Sequence, residues 1–299
     1  MVALVLLVTA LGMTAAGCRQ DPSAATAQPG PAPDGSTTAP IGPVPDARPP
    51  GTTRSPSVRA SNRPPTSSSP AAPVRDVDWY LDHLPRFRDP PDAKAVTLPH
   101  QPGQTPWITH IPTDQKVAFL TIDDGWIRRP EALRMLRAAE IPVTLFLVVN
   151  AAREDPGYFR PLQQSGAVIE AHTITHARLP GLPYEAQKHE ICGSADWLAD
   201  KYGRHPVLFR PPYGEKDATT LTAAYDCGMK ATVYWTETVD KGHVYYQTGE
   251  KRVHAGDIIL MHFREAYAAD FWAALTAIRA AGLVPALLED YVRDVHSEG

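Results

Sequence analysis

Two adjacent carboxylates, Asp123 and Asp124, follow the apolar run Val117-Ala118-Phe119-Leu120-Thr121-Ile122. Carboxylates at the end of a buried strand are costly unless something offsets their charge. Gly125 permits a sharp turn after them, and Pro130 suits the first turn of a helix. If both acids are working groups, the remaining chain must supply a metal site, a partner for the base and an acid. It holds candidates for each: His172 and His176, four residues apart; Arg210 in Arg210-Pro211-Pro212-Tyr213; the acidic stretch from Trp235 to Asp240; and His262 after Ile258-Ile259-Leu260-Met261.

These residues need elements that bring them together. Apolar runs predict strands over 117–122, 143–149, 167–171, 207–210, 230–235, 257–262 and 283–288. Helical spacing predicts helices over 130–140, 184–202 and 267–281, among others. Strand–helix alternation implies a parallel sheet or barrel, and in β/α barrels the working groups gather at the C-terminal ends of the strands. Every candidate above falls at such an end. Two histidines four apart, or an Arg-Pro-Pro loop, are weak signals singly. Their co-occurrence in this order carries the inference.

The set resembles the polysaccharide deacetylases, the NodB-homology family of carbohydrate esterases, over about residues 115–290. That family's first motif, Thr-Phe-Asp-Asp-Gly, is matched by Thr121 to Gly125 with Ile122 in place of Phe. Its His-Ser/Thr-x-x-His motif is matched by His172 to His176, its Arg-x-Pro-Tyr-like motif by Arg210 to Tyr213, and its Leu-x-His motif by Leu260 to His262. The fourth motif, Asp-x-x-Asp-Trp, departs. Here Glu237 and Asp240 keep the acidic spacing, but Lys241 stands where the family has Trp.

The resemblance implies an α/β fold, a distorted (β/α)7-type barrel, and hydrolysis of an acetamide. Asp124, His172 and His176 would hold a divalent metal, zinc by preference, with cobalt or another first-row ion fitting the same ligands. Asp123 would be the general base, oriented by Arg210. The backbone N–H of Tyr213 would help stabilise the oxyanion, and Trp235 would face the sugar. His262 would be the general acid, with Asp240 holding its ring. The substrate would be an N-acetylated, GlcNAc-type glycan, cell-wall peptidoglycan or a chitin-like polymer. O-deacetylation of a xylan-like polymer, or another C–N hydrolysis on the same site, stays open. So does a catalytically weak glycan-binding protein of the envelope.

The chain has 299 residues and a net charge of −4, with no basic stripe of the kind nucleic acid requires. Residues 1–18 read as an apolar export signal ending in Ala15-Ala16-Gly17-Cys18, which looks like a lipobox with Cys18 as the lipidated residue. Residues 19–75 hold 14 of the 31 prolines, a density that predicts a disordered, extended Pro-rich linker. Residues 76–115 read as an extension packed on the barrel, with a short helix around Trp79 to Leu84 and a short strand at Trp107-Ile108. Residues 116–296 form the catalytic domain. An exported monomer is expected, extracellular or, if the lipobox holds, anchored to the membrane as a lipoprotein at the cell envelope. An oxidising compartment favours a Cys192–Cys227 disulfide; two buried free thiols are the alternative.

Overall fold

The computed structural model describes residues 75–297. The export signal, the Cys18 lipobox and all but the last residue of the linker expected over 19–75 lie outside the described residues. The described part holds ten strands and seven α-helices. In chain order they are α1 (Val77–Asp82), β1 (Trp107–Ile108), β2 (Val117–Asp124), α2 (Glu131–Ala139), β3 (Val143–Leu147), α3 (Val149–Glu154), α4 (Pro156–Gln164), β4 (Ala167–Ala171) and α5 (Tyr184–Tyr202). They continue with β5 (Leu208–Phe209), α6 (Ala218–Asp226), β6 (Ala231–Val233), β7 (Glu237–Asp240), β8 (His243–Tyr246), β9 (Ile258–His262), α7 (Tyr267–Ala280) and β10 (Val284–Pro285).

The sheet runs β1-β6-β5-β4-β3-β2-β9-β7-β8, with β10 pairing the first residues of β2. All pairs are parallel except β7–β8. The sheet curls back on itself. Just past β1, His110 bridges Asp257 and the Ile111 N–H donates to Gly256 O at 2.8 Å, which brings one end of the strand order to the foot of β9. This is the distorted β/α barrel the sequence implied.

Alternation along β2 sets up the site. Ala118, Leu120 and Ile122 pack outward with helix residues such as Leu136 and Leu275. Val117 and Phe119 point inward and pack with Phe146, Ile258 and Tyr291. Side chains of a strand alternate faces, so Thr121 and Asp123 share the inward face, above an apolar plug. The barrel interior thus has an apolar cluster under the aspartates, beside buried polar groups of β3 and β4 such as Thr144, which donates to Glu289 at 2.9 Å, and Glu170, paired with Arg204.

The extension contributes to the barrel. β1 pairs with β6, Val96 bridges Val292, and Trp79 and Tyr80 of α1 pack on Trp272 of α7. Cys192 of α5 and Cys227, capping α6, are joined by a disulfide.

The structure corrects several element boundaries. β3 ends at Leu147 because Val149 begins α3, and the 283–288 segment is a two-residue strand followed by a 3-10 turn over Leu288–Tyr291. β5 and β6 are shorter than the apolar runs suggested. The β7–β8 hairpin was not foreseen. Asp240 pairs with His243, leaving a two-residue loop of Lys241 and Gly242, both at positive φ (52° and 75°). That is the turn geometry whose twist suits a hairpin, but Lys is an uncommon residue for it.

Glu237, buried in β7, accepts from Thr236 Oγ1 at 2.7 Å. Burial raises its pKa from 4.5 to about 8, helped by the neighbouring Asp257. The folded chain thus keeps a proton that the unfolded chain releases above pH 4.5, so this group's contribution to stability is present below that pH and is lost as pH rises towards 8. We expect Glu237→Gln to flatten the fall in unfolding free energy between pH 5 and 8 relative to wild type, by up to about 1.4 kcal/mol per pH unit. Denaturant melts of both proteins across that range measure it, and parallel pH profiles would contradict the assignment.

Candidate active site

The polar candidates converge on one cavity of about 340 Å³, lined by Asp123, Asp124, His172, His176, Pro211, Tyr213, Trp235, Thr238, Leu260, His262 and Arg264. β2 delivers the two aspartates side by side. Asp123 pairs in register with Phe146 on one side and His262 on the other. Asp124 takes φ 79°, a left-handed conformation that turns the backbone between the two carboxylates.

Arg210 follows the two residues of β5 and is fully buried. Its Nη1 donates to Asp123 Oδ1 at 2.7 Å and to Thr121 Oγ1 at 2.8 Å, and its Nη2 donates to Tyr234 O at 3.0 Å. The guanidinium also lies 4.2 Å from the ring centre of Phe146, a favourable seat for a cation. Asp123 Oδ1 is thereby committed to Arg210, while Oδ2 lies 3.8 Å from His172 Nε2. Burial raises the Asp123 pKa from 3.8 to about 6, against the lowering pull of Arg210.

His172 is buried just past β4. Its Nδ1 lies 2.7 Å from Arg210 O; a carbonyl only accepts, so Nδ1 carries the proton and Nε2 presents its lone pair. Nε2 of His172 and Nε2 of His176 stand 3.6 and 3.4 Å from Asp124 Oδ1. Burial lowers the His172 pKa to about 4, which keeps the ring in the neutral form a metal needs.

The loop carrying the histidines is strained and held. Thr173 and His176 adopt φ 71° and 63°, unusual for non-glycine residues and especially for a β-branched one. Glu190 of α5 holds it, accepting from the N–H groups of Ile174 and Thr175 and from Thr175 Oγ1 at 2.8–2.9 Å. Tyr213 sits across the cavity at φ 63° with its ring 4.8 Å from that of His176. Gly214 has to be glycine, since a Cβ there would fall 2.2 Å from Tyr234.

Asp124, His172 and His176 fit a divalent cation. Their ligand atoms all lie within 4.8 Å of one another, and Asp124 Oδ1 is buried without a hydrogen-bond partner. Two imidazoles and a carboxylate form a donor set with an open coordination position.

Asp240 is a correction. It was expected to hold the His262 ring, but its Oδ1 accepts from Arg264 Nη1 at 3.1 Å, and His262 Nδ1 is buried with no hydrogen-bond partner. The cause is the cation two residues beyond His262, which offers this carboxylate a charged partner. Burial, then the charge of Arg264, lowers the His262 pKa to about 3. Glu237, the other acid of the fourth motif, faces Thr236 rather than the cavity. The sequence reading also passed over Thr121, Glu190 and Arg264. Thr121 and Arg264 stand next to or two residues from recognised positions, a signal that was available. Glu190 carries none.

A family model described as Polysaccharide deacetylase matches residues 110–232. An uncharacterised protein of Streptomyces coelicolor is 40% identical over 192 residues, 62% of this chain and 77% of that protein. A peptidoglycan-N-acetylglucosamine deacetylase of Bacillus cereus is 25% identical over 174 residues, 54% of this chain and 78% of that protein. Among solved structures, a family 4 carbohydrate esterase pseudoenzyme from Bacillus anthracis superposes with a TM-score of 0.56 at 18% identity, covering 63% of this chain and 69% of that one. At that identity the likeness speaks for the fold.

The geometry makes a binding prediction. Titrated with zinc after chelation and dialysis, the full chain should bind one equivalent. Asp124→Asn and His176→Ala should each weaken that binding by about a hundredfold or more, since even residues that only support metal ligands cost about 10–100-fold when lost. Unchanged zinc affinity in both variants would remove the metal site from this cluster.

Proposed function

Because the chain belongs to the polysaccharide deacetylase family, hydrolases of carbon–nitrogen bonds other than peptide bonds, we propose that it uses a divalent metal, zinc first, to deacetylate GlcNAc-type sugars of cell-wall peptidoglycan or a chitin-like glycan. The observation that carries this reading is the split of the aspartate pair: Asp123 tied to Arg210, Asp124 turned to two imidazoles, both on one cavity wall.

A cation held by Asp124, His172 and His176 would polarise the acetyl carbonyl and make water a better nucleophile at neutral pH. Asp123 Oδ2, the oxygen that Arg210 leaves uncommitted, takes the proton of the attacking water. Arg210 holds that carboxylate in place, and the raised pKa of Asp123 suits a base that must accept a proton near neutrality. Tyr213 offers its backbone N–H to the developing oxyanion, and Trp235 walls the sugar. His262, in register with Asp123 on the adjacent strand, would hand a proton to the departing amine, a step that requires its ring first to take up a proton against its lowered pKa. Its ring is placed by burial alone.

The address is read from sequence. The lipobox at Cys18 and the Pro-rich spacer support an exported protein held at the cell envelope, where peptidoglycan is the glycan within reach.

A second reading, a glycan-binding protein of weak activity, is favoured by one contact: the Asp240–Arg264 pair leaves His262 without a carboxylate. The B. anthracis pseudoenzyme has a comparable fold, so this fold does not by itself require turnover.

Acetate release decides between them. We expect the full chain to release acetate from peptidoglycan or chitin oligomers, to lose that activity with chelator and to regain it with zinc or cobalt. Asp123→Asn should lower kcat by about 10²–10⁴ with zinc still bound. No release from peptidoglycan, chitin oligomers or acetylxylan by the metal-loaded protein would favour the binding reading.

A further inference from the structure

Arg264 has no role in the chemistry above, yet its side chain stands in the wall of the same cavity as Asp123, Asp124, His172, His176 and His262. It lies two residues past the end of β9, beyond the catalytic histidine. Its side chain is 47% exposed, unlike that of Arg210, which is sealed. Among the described residues it makes one hydrogen bond, from Nη1 to Asp240 Oδ1. A guanidinium carries five N–H donors in a rigid fork, so most of its donors remain for a ligand. The single bond to Asp240 fixes the head group against the wall without using its capacity.

The surroundings are mixed in sign. Lys241 follows Asp240 at the hairpin tip, where the family has an apolar Trp. The acids around it are Asp240, already paired with Arg264, Asp270, whose Oδ1 accepts from the Gly242 N–H at 2.7 Å, and Asp123 and Asp124 of the same cavity, which are given over to Arg210 and to the two histidines. Asp240 takes one donor of Arg264, while the Asp270 bond goes to backbone, and the Arg264 side chain stays about half exposed. A neutral amino sugar offers this cation hydroxyl and carbonyl acceptors but no opposite charge. A planar anion supplies that charge, and the fork matches the two oxygens of a carboxylate.

We propose that Arg264, braced by Asp240, is a specificity residue that reads a carboxylate on the acetylated sugar or on its immediate neighbour. This rests on the deacetylase reading and narrows it from GlcNAc-type glycans at large to acidic ones. It also accounts for the fourth motif: Asp240, released from the histidine, positions the reader.

The test compares two tetrasaccharides on the zinc-loaded full chain. One is the neutral chitin tetramer. The other is a peptidoglycan glycan in which alternate sugars carry a lactyl carboxylate. We expect wild type to favour the acidic glycan about tenfold or more in kcat/KM, chiefly through KM. Arg264→Gln should bring the ratio close to one, and Arg264→Lys, which keeps the charge without the fork, should fall between. Amidating the carboxylate should remove the preference in wild type, a result independent of any variant's folding. An equal ratio in wild type and Arg264→Gln, or a preference that survives amidation, overturns the proposal while leaving the deacetylase reading intact. If neither glycan releases acetate, the deacetylase reading fails, and equilibrium binding of both glycans to the chelated protein decides. A carboxylate preference that Arg264→Gln abolishes then supports the reader, and the lack of one overturns it.

Discussion

A guanidinium with no access to water is among the most expensive groups to place in a protein interior, and this fold is arranged around one. Arg210 draws Asp123, the Thr121 hydroxyl and the Tyr234 carbonyl to its fork and lies over the Phe146 ring. Its own carbonyl receives the His172 proton. One residue therefore ties β2, β3 and β6 together and fixes both the aspartate that would act as base and the tautomer of a metal ligand. Removing it would strand a buried carboxylate as well as a hole, the kind of loss worth about 3–5 kcal/mol.

Around that centre the backbone departs from comfortable geometry. Asp124, Thr173, His176 and Tyr213 all take positive φ. Each such residue costs on the order of 1–3 kcal/mol, so regular packing elsewhere must outweigh them. The rows of apolar side chains on both faces of β2 and β3, and the grip of Glu190 on the histidine loop, supply that outside constraint. The aspartates and histidines hold their relative places because the surrounding elements leave these segments no relaxed alternative.

The central strands were legible in the sequence because they are buried on both faces and read as unbroken apolar runs, as in Val117 to Ile122 and Ile258 to Met261. α5 was legible end to end. The aspartates, the histidines, Arg210 and His262 were legible because each follows such a run, and the structure brings all but the sealed Arg210 to one cavity, with Arg210 behind Asp123. The β7–β8 hairpin was not. Thr-Glu-Thr-Val-Asp is polar at four of its five positions, and Lys-Gly is an unusual pair for its turn. The partner of Asp240 was hidden for a different reason. The family resemblance implies that a carboxylate holds His262, but not that Arg264, 24 residues from Asp240 in the chain, competes for it at 3.1 Å. Competition between side chains is settled by angles and distances that no one-dimensional pattern carries.

The segment recognisable as a family domain starts at residue 110 and stops at 232, yet the barrel does not close within those limits. β1 lies before them, and β7, β9 and β10 lie after them. Without β1, the exposed side of β6 would present bare backbone donors and acceptors, an edge prone to sticking to other chains. Without β9, β2 would lose a neighbour along the stretch from Phe119 to Asp123. The unit that the family model detects is thus smaller than the unit that completes the sheet. Trp107 and Ile108, two residues in what reads as a preamble, belong to the architecture as fully as the aspartates do.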